Sequence, residues 1–366
     1  MNDTTLHFVA DLIVGGARPS AQHVWWELED VLVRYRLAGL AHSVVAGWDS
    51  VPGDMKDRLE AAHRTQAVGA LLLAEEWEAV RSALAAEGIA ASLVKGGWMN
   101  ALAYYRAGER ALDDIDVVVP PRAAPDATRI LERSGWLPWE SEPSRTIAWA
   151  GAATFQPRGA ARLAGLAIDL HGSLNYGALR AFPEPGDEGR PWSVGWTPEA
   201  QLVLTVEHFL KHLRCRTHLV GLVDIARLLR AGLDLEEAAA RLHRGPWGAT
   251  GVALVQAVSA RIGGEVAARW ESTGVARTAR PFNLVDLVAN AASRPGRLSG
   301  MASRWLLRGF GAAARECGDV LFPPEAWLRR RYGSPKALMP ARLEHLTRMM
   351  GWAVGAAPSP LSPNQE

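Results

Sequence analysis

The stretch Asp114-Ile-Asp116, leading into Val117-Val-Val119, limits what this chain can build more than any other. Three consecutive valines favour a strand, and side chains alternate between the two faces of a strand. Asp114 and Asp116 therefore share one face, while Ile115 and Val117 share the other. A surface strand or turn would tolerate two aspartates, but the valine run calls for burial, and buried carboxylates need a partner or a metal. Adjacent carboxylates also repel, and a divalent cation is the usual remedy. Asp113 should point the opposite way and is not expected to be a ligand.

The flanking segments fill in the setting. Ile89–Val94 reads as a short buried strand, ending at a Lys95-Gly96-Gly97 turn that opens a helix over Trp98–Arg106. Glycine amides between a strand and a helix can face a phosphate, and Lys95 can supply a point charge to it. Arg110 can serve the same anion or pair with the acidic site. Further on, Leu166–His171 is a second strand-like run. It offers a third carboxylate, Asp169, with His171 on the same face to orient it. Several carboxylates around metal ions about 3.5–4 Å apart can neutralise both the attacking and the leaving oxygens of a phosphoryl transfer. The residues thus predict a cradle for magnesium and a nucleoside triphosphate, with Asp114, Asp116 and Asp169 as catalytic and metal-binding groups. Lys95, Gly96, Gly97 and Arg110 form the expected nucleotide-binding set.

Further along, His208, Lys211 and His212 fall on one predicted helix, and Asp224 on the next. His208 and His212 share a face at a spacing of four. No His-Glu-x-x-His pattern accompanies them, so packing or nucleotide contact is expected rather than zinc. His171, His208 and Lys211 are candidates for supporting roles around the carboxylates.

Helical spacing predicts helices over Gln22–Leu40 and Pro52–Glu87, with Gly88 as the cap of the second. Ala123–Ser134 is another, and Arg145–Ala150 and Arg162–Leu170 read as further strands. The turn-rich loop Phe182–Pro191 marks a boundary. Beyond it Gln201–Arg214, Leu219–Ala231, Leu235–Leu242 and Ala249–Ile262 are helical, as is most of Pro281–Trp352. The expected division is a helical segment over residues 1–64, an α+β domain over 65–190, an α-helical domain over 191–355 and a disordered tail over 356–366.

Composition excludes several classes. A formal net charge of +1 gives no overall field for nucleic acid or an anionic membrane. Arg329-Arg-Arg331 reads as an exposed helix face. Cys215 and Cys317 are the only cysteines, too few for a disulfide framework and without zinc spacing, which points to a reducing cytoplasm. Neither a signal peptide nor an apolar run of about 20 residues is present, so no membrane is expected. The 15 tryptophans are scattered rather than repeated and read as packing residues.

Lys95-Gly-Gly, Tyr105, Arg110 four residues before Asp114-Ile-Asp116-Val-Val, and Asp169-Leu-His171 together resemble the uncharacterised nucleotidyltransferase family of the DNA polymerase β-like superfamily. Gly-Leu-Val-Asp224-Ile-Ala-Arg-Leu-Leu is similar to that family's downstream helical segment. The resemblance spans roughly residues 65–232. It implies a polymerase β-like nucleotidyltransferase domain, a small mixed sheet flanked by helices, followed by an α-helical domain. It also implies two Mg²⁺ ions and transfer of a nucleoside monophosphate from an NTP, such as ATP, to a hydroxyl with release of pyrophosphate. On this pattern Asp114 and Asp116 would bind both metals, Asp169 would bind one and help deprotonate the acceptor, and Gly96 and Gly97 would hold the triphosphate. Members occur in bacterial biosynthetic gene clusters, so a small-molecule or peptide acceptor in a natural-product pathway is implied. The superfamily's usual Gly-Ser is Gly-Gly here, which removes a hydroxyl that often touches phosphate. The competing expectation is a non-catalytic nucleotide- or peptide-binding protein on the same fold.

Overall fold

The computed structural model describes residues 3–18, 25–139, 143–144, 147, 151–158, 166–172, 196–212, 219–245, 247–275, 283–292, 328, 342–344 and 346–347. In chain order the elements are α1 (Asp3–Ile13), α2 (Trp25–Arg34), α3 (Ala38–Val45), α4 (Gly53–Ala86), β1 (Ser92–Val94), α5 (Lys95–Ala101), β2 (Asp114–Val118), α6 (Ala124–Arg133), β3 (Trp136–Pro138), β4 (Ala152–Pro157) and β5 (Ala167–His171). The helices α7 (Pro198–His212), α8 (Val220–Arg230), α9 (Leu235–Arg244), α10 (Gly248–Ile262), α11 (Gly264–Ser272) and α12 (Leu284–Ala292) follow. Two compact units result, residues 1–209 with 218–292, and residues 210–217 with 293–366. The sheet and the bulk of the helices described below belong to the first. Among the described residues no helix is long and apolar enough to cross a membrane.

The fold is the expected α+β class, with a five-stranded mixed sheet in the order β1-β2-β5-β4-β3. β2 and β5 run parallel, and the other pairs are antiparallel. One face of this sheet presents Ile115, Val117, Phe155, Ile168 and Leu170 to a core shared with α4 and α6. α4 reaches that core with Leu73, Trp77, Val80 and Leu84, a spacing of four, three and four that keeps them on one stripe. Each such side chain contributes about 1.5–3 kcal/mol on burial. α4 stops at Gly88, whose φ of +70° closes a reverse turn in which Ile89 N–H donates to Leu84 O.

Several expectations need correction. The helix predicted over Gln22–Leu40 is two helices, α2 and α3, separated where Arg36 adopts a φ of +62°. Leu37 N–H reaches back to Leu32 O there, the closing bond of a helix end. Lys95-Gly96-Gly97 is not an open turn before a helix but the helix's own first residues, and α5 ends at Ala101 rather than Arg106. In the strand expected over 145–150, the described residue Ile147 is helical, and the rest lies outside the described residues. The strand predicted over Arg162–Leu170 is β5, shifted to Ala167–His171. α1 and α11 fall within the expected helical segments without having been bounded individually, whereas β3 and β4 were not expected. The Phe182–Pro191 loop, Arg329-Arg-Arg331, the 356–366 tail and most of 281–352 lie outside the described residues.

Candidate functional site

The sheet face opposite the core carries the carboxylates. In the parallel pairing of β2 with β5, Asp116 stands in register with Asp169 and Val118 with His171. Alternation therefore puts Asp114, Asp116, Asp169 and His171 on one side, across adjacent strands about 4.8 Å apart. Parallel strands are usually apolar on both faces, so two aspartates in register on the same side are a costly arrangement. Ligand atoms from Asp116, Asp169 and His171 all lie within 4.8 Å of one another. Asp114, two residues before Asp116, is exposed to solvent beside them.

Each carboxylate has a different environment. Asp116 is 6% exposed, and its Oδ1 accepts from Lys95 Nζ at 2.5 Å and contacts His171 Nε2 at 2.9 Å. Burial alone would raise its pKa, but Lys95, His171 and the charge of His208 outweigh burial and hold it well below the usual carboxylate range. Asp169 accepts from the Thr154 hydroxyl at 2.7 Å. Burial, then the charges of Asp116 and Asp114, push it up to about 7. Although part of Asp114 reaches solvent, desolvation by the protein packed around it and then the charge of Asp116 raise it as well. One carboxylate is thus neutralised by a lysine, while two remain short of positive charge. Oxygen donors with a charge deficit fit a hard divalent cation, and His171, turned on Asp116 Oδ1, fits the part of an orienting partner.

The expected nucleotide-binding residues separate into two groups. Lys95 stands at the carboxylates, in a left-handed conformation with φ +53°. Its backbone N–H donates to Gln201 Oε1 on α7 at 2.9 Å. Gly96 and Gly97 are buried behind it, and packing accounts for both of them. A Cβ on Gly96 would stand 1.9 Å from Arg110 Nη1, and one on Gly97 would stand 3.3 Å from Ile115 and from Leu93. Arg110 does not stand open toward a phosphate. Its Nε and Nη2 donate to the two oxygens of Asp224 on α8, both at 2.9 Å, and Nη1 donates to Ala111 O at 3.2 Å. Burial would weaken its charge, but Asp224 more than restores it.

That ion pair belongs to a wider buried network. The Tyr105 hydroxyl donates to Asp224 Oδ1 at 2.5 Å, and the Arg227 guanidinium lies 4.2 Å from the centre of the Tyr105 ring. Arg227 also donates to Glu109 Oε2 at 2.8 Å and to Tyr104 O at 2.6 Å. The segment between α5 and β2 is therefore fastened to α8. Asp113 faces away from the carboxylates and pairs with Arg36.

α7 supplies the remaining candidates. His208 is half-buried and close enough to act electrostatically on Asp116. The side chain of Lys211 lies outside the described residues. Thr154 and Gln201 were missed at the level of sequence, because a lone threonine in a weak strand and a glutamine inside a helix carry no motif.

The site is thus a mixed sheet bearing aspartates on two adjacent parallel strands, with a lysine between strand and helix. The chain belongs to the uncharacterised nucleotidyltransferase family, whose model matches residues 22–253, and is thereby a transferase. The match takes in α2–α9 and the sheet, well beyond the 65–232 span of the motifs. No curated protein and no solved structure matches the chain.

Proposed function

We propose that the protein is a Mg²⁺-dependent nucleotidyltransferase of the EC 2.7.7 type, moving a nucleoside monophosphate from an NTP, with ATP the first candidate, to an acceptor hydroxyl. The observation that carries this reading is the register of Asp116 with Asp169 on neighbouring parallel strands, with Asp114 on the same face. Asp114, Asp116 and Asp169 would hold two Mg²⁺ ions, which when bound supply charge neutralisation of the triphosphate. The acceptor oxygen forms a bond to the α-phosphorus, the bond to the bridging oxygen breaks, and pyrophosphate leaves. Asp169 is the base that receives the hydroxyl proton. Lys95 counters phosphate charge, and Gly96 and Gly97 allow the close approach to Arg110 and Ile115 that seats the start of α5. His171 fixes the orientation of Asp116, and Lys211 lies one turn from His208 at the edge of the same helix. Arg110 contributes by holding the segment that leads into β2 rather than by touching the nucleotide.

A near-neutral net charge favours a small-molecule or peptide acceptor over nucleic acid. A cytoplasmic, natural-product role fits an NTP-dependent reaction on such an acceptor. Retention of all three carboxylates speaks against a purely binding role.

The test is pyrophosphate release from each of the four NTPs with Mg²⁺, in the presence of candidate small-molecule and peptide acceptors. Release by the wild-type chain that is lost in Asp114→Ala/Asp116→Ala supports transfer and identifies the nucleotide. Wild-type protein whose melting temperature ignores Mg²⁺ and every NTP would sink the reading.

A further inference from the structure

Gln201, Thr205 and His208 are spaced four and three residues apart on α7, so they form one stripe along the helix. Each end of the stripe is linked to Asp116 or to the lysine that pairs with it. Gln201 Oε1 accepts the Lys95 N–H at 2.9 Å, and His208 bears electrostatically on Asp116. Thr205 lies between them. Gln201 is 0% and Thr205 6% exposed, yet neither Gln201 Nε2 nor Thr205 Oγ1 has a hydrogen-bond partner. Because the carboxamide is planar and compact, the orphaned Nε2 sits beside Lys95 as surely as its paired oxygen does.

Two orphaned polar atoms on one buried helix face are expensive, since each loses its water without regaining a bond. A helix that had only to pack would carry leucine and valine at these positions, as α7 does at Leu202, Val203, Leu204 and Val206, all fully buried. A helical threonine commonly bonds back to the carbonyl four residues before it, but this one does not. Gln66, Thr128, Gln256 and Trp270 also carry orphaned atoms, but only α7 both bonds to Lys95 and bears on Asp116 through His208. Both of these groups can donate; Gln201 is bonded to the backbone of Lys95, and Thr205 stands three residues before His208 on the same helix face. Donors beside cations suit an anionic oxygen.

We propose that Gln201 Nε2 and the Thr205 hydroxyl bind phosphoryl oxygens of the nucleoside triphosphate, making α7 the wall against which the phosphate chain is held. The assignment rests on the nucleotidyltransferase reading of the carboxylate site. It makes the buried polarity of α7 a cost carried by the free protein and recovered when substrate binds. Removing the orphaned atoms should therefore leave the free protein as stable or more stable, while weakening nucleotide binding.

The experiment compares wild type, Thr205→Val and Gln201→Glu as full chains. Melting temperature is measured without ligand. Affinity is then measured by calorimetry in Mg²⁺ for a nonhydrolysable ATP analogue with a methylene α,β-bridge, for inorganic triphosphate and for adenosine. Thr205→Val, close in shape to threonine, should melt at or above the wild-type temperature and bind the analogue about tenfold more weakly. Gln201→Glu keeps the acceptor for Lys95 N–H but sets a carboxylate against the phosphates, so it should bind about 100-fold more weakly. Triphosphate should show the same losses, and adenosine none. Unchanged analogue affinity in both variants overturns the assignment, as does a loss that appears with adenosine but not with triphosphate. A fall of several degrees in the melting temperature of Thr205→Val with affinity intact also overturns it, since the hydroxyl would then serve packing alone. Failure of wild type to bind analogue or triphosphate is a different result, because it removes the carboxylate-site reading and the assignment with it.

Discussion

Asp169 and Asp116 face each other across the parallel pairing with opposite electrostatic histories. Asp169, at about 7 against an ordinary 3.8, keeps in the folded protein a proton that the unfolded chain has already released. Metal-free stability therefore falls as pH rises between those two values and levels off above them. Asp116, held below its ordinary value, works the other way: its contribution is present above the ordinary carboxylate range and disappears as pH falls through the folded value. Asp169→Asn keeps the acceptor for Thr154 and removes the charge. We expect it to raise metal-free stability at pH 8 by about 1–3 kcal/mol, a few degrees in Tm, and to change little at pH 4. The same substitution should lower nucleotidyl transfer about 100-fold or more. Thermal melts at the two pH values check the first part, and pyrophosphate release checks the second. A separate residue-scale cost sits at Ala103, which closes α5 with φ +57°, a conformation that favours glycine. Tyr104 N–H donates to Met99 O there at 3.0 Å. Ala103→Gly is expected to stabilise the protein by about 0.5–1 kcal/mol in urea unfolding, and no change or a loss would contradict this account of the turn.

Between elements, the contact most decisive for the site is the one from the α5–β2 segment to α8. Arg110 and Asp224 are both buried, and their bidentate pair fixes the guanidinium against the space that glycine leaves at position 96. Breaking such a pair strands a charge. Asp224→Ala should cost about 3–5 kcal/mol, whereas Arg110→Met/Asp224→Leu should recover much of that loss because no charge remains buried. A double-mutant cycle by denaturant unfolding reads the coupling, and additive single effects would show that the pair is not a unit. This contact also marks the limit of sequence reading. Arg110 was visible as part of a pattern four residues before Asp114, but its partner stands 114 residues away, and no local periodicity links the two. β2 was legible because its alternation runs unbroken through Asp114–Val118, and α7–α10 because their apolar spacing is helical throughout. β3 and β4 were not. Trp136–Pro138 has three residues, and Ala152–Pro157 sets Thr154 and Phe155 among weak strand formers, so pairing of β4 with β5 and of β3 with β4, rather than propensity, makes them strands. The glycine pair was read as an open turn before a helix, and the structure makes it the start of α5, in close approach to Arg110 and Ile115.

For the molecule as a whole, the carboxylate face is an unbalanced charge set into a chain whose formal net charge is only +1. The core side of the same sheet is fully apolar, so the imbalance cannot relax by moving the strands without exposing Ile115, Val117, Ile168 and Leu170. Relief must come from a proton or a cation, and the two compete. At pH 5.5 Asp169 is mostly protonated in the metal-free protein, and Mg²⁺ must displace that proton to bind. At pH 8 the proton has gone and the full attraction is available. Mg²⁺ with nucleotide should therefore raise Tm little at pH 5.5 and by several degrees at pH 8, given that ligand at about 100 times its Kd stabilises by about 2.7 kcal/mol. Binding near pH 6 should release about one proton, and that release should fade above pH 8. Calorimetry in two buffers of different ionisation enthalpy measures the proton directly. In Asp169→Asn the release should fall, what remains coming from Asp114, the other carboxyl raised by its surroundings. A Tm gain independent of pH, with no proton released, would mean that the cation avoids Asp169 and that the two strands do not share it.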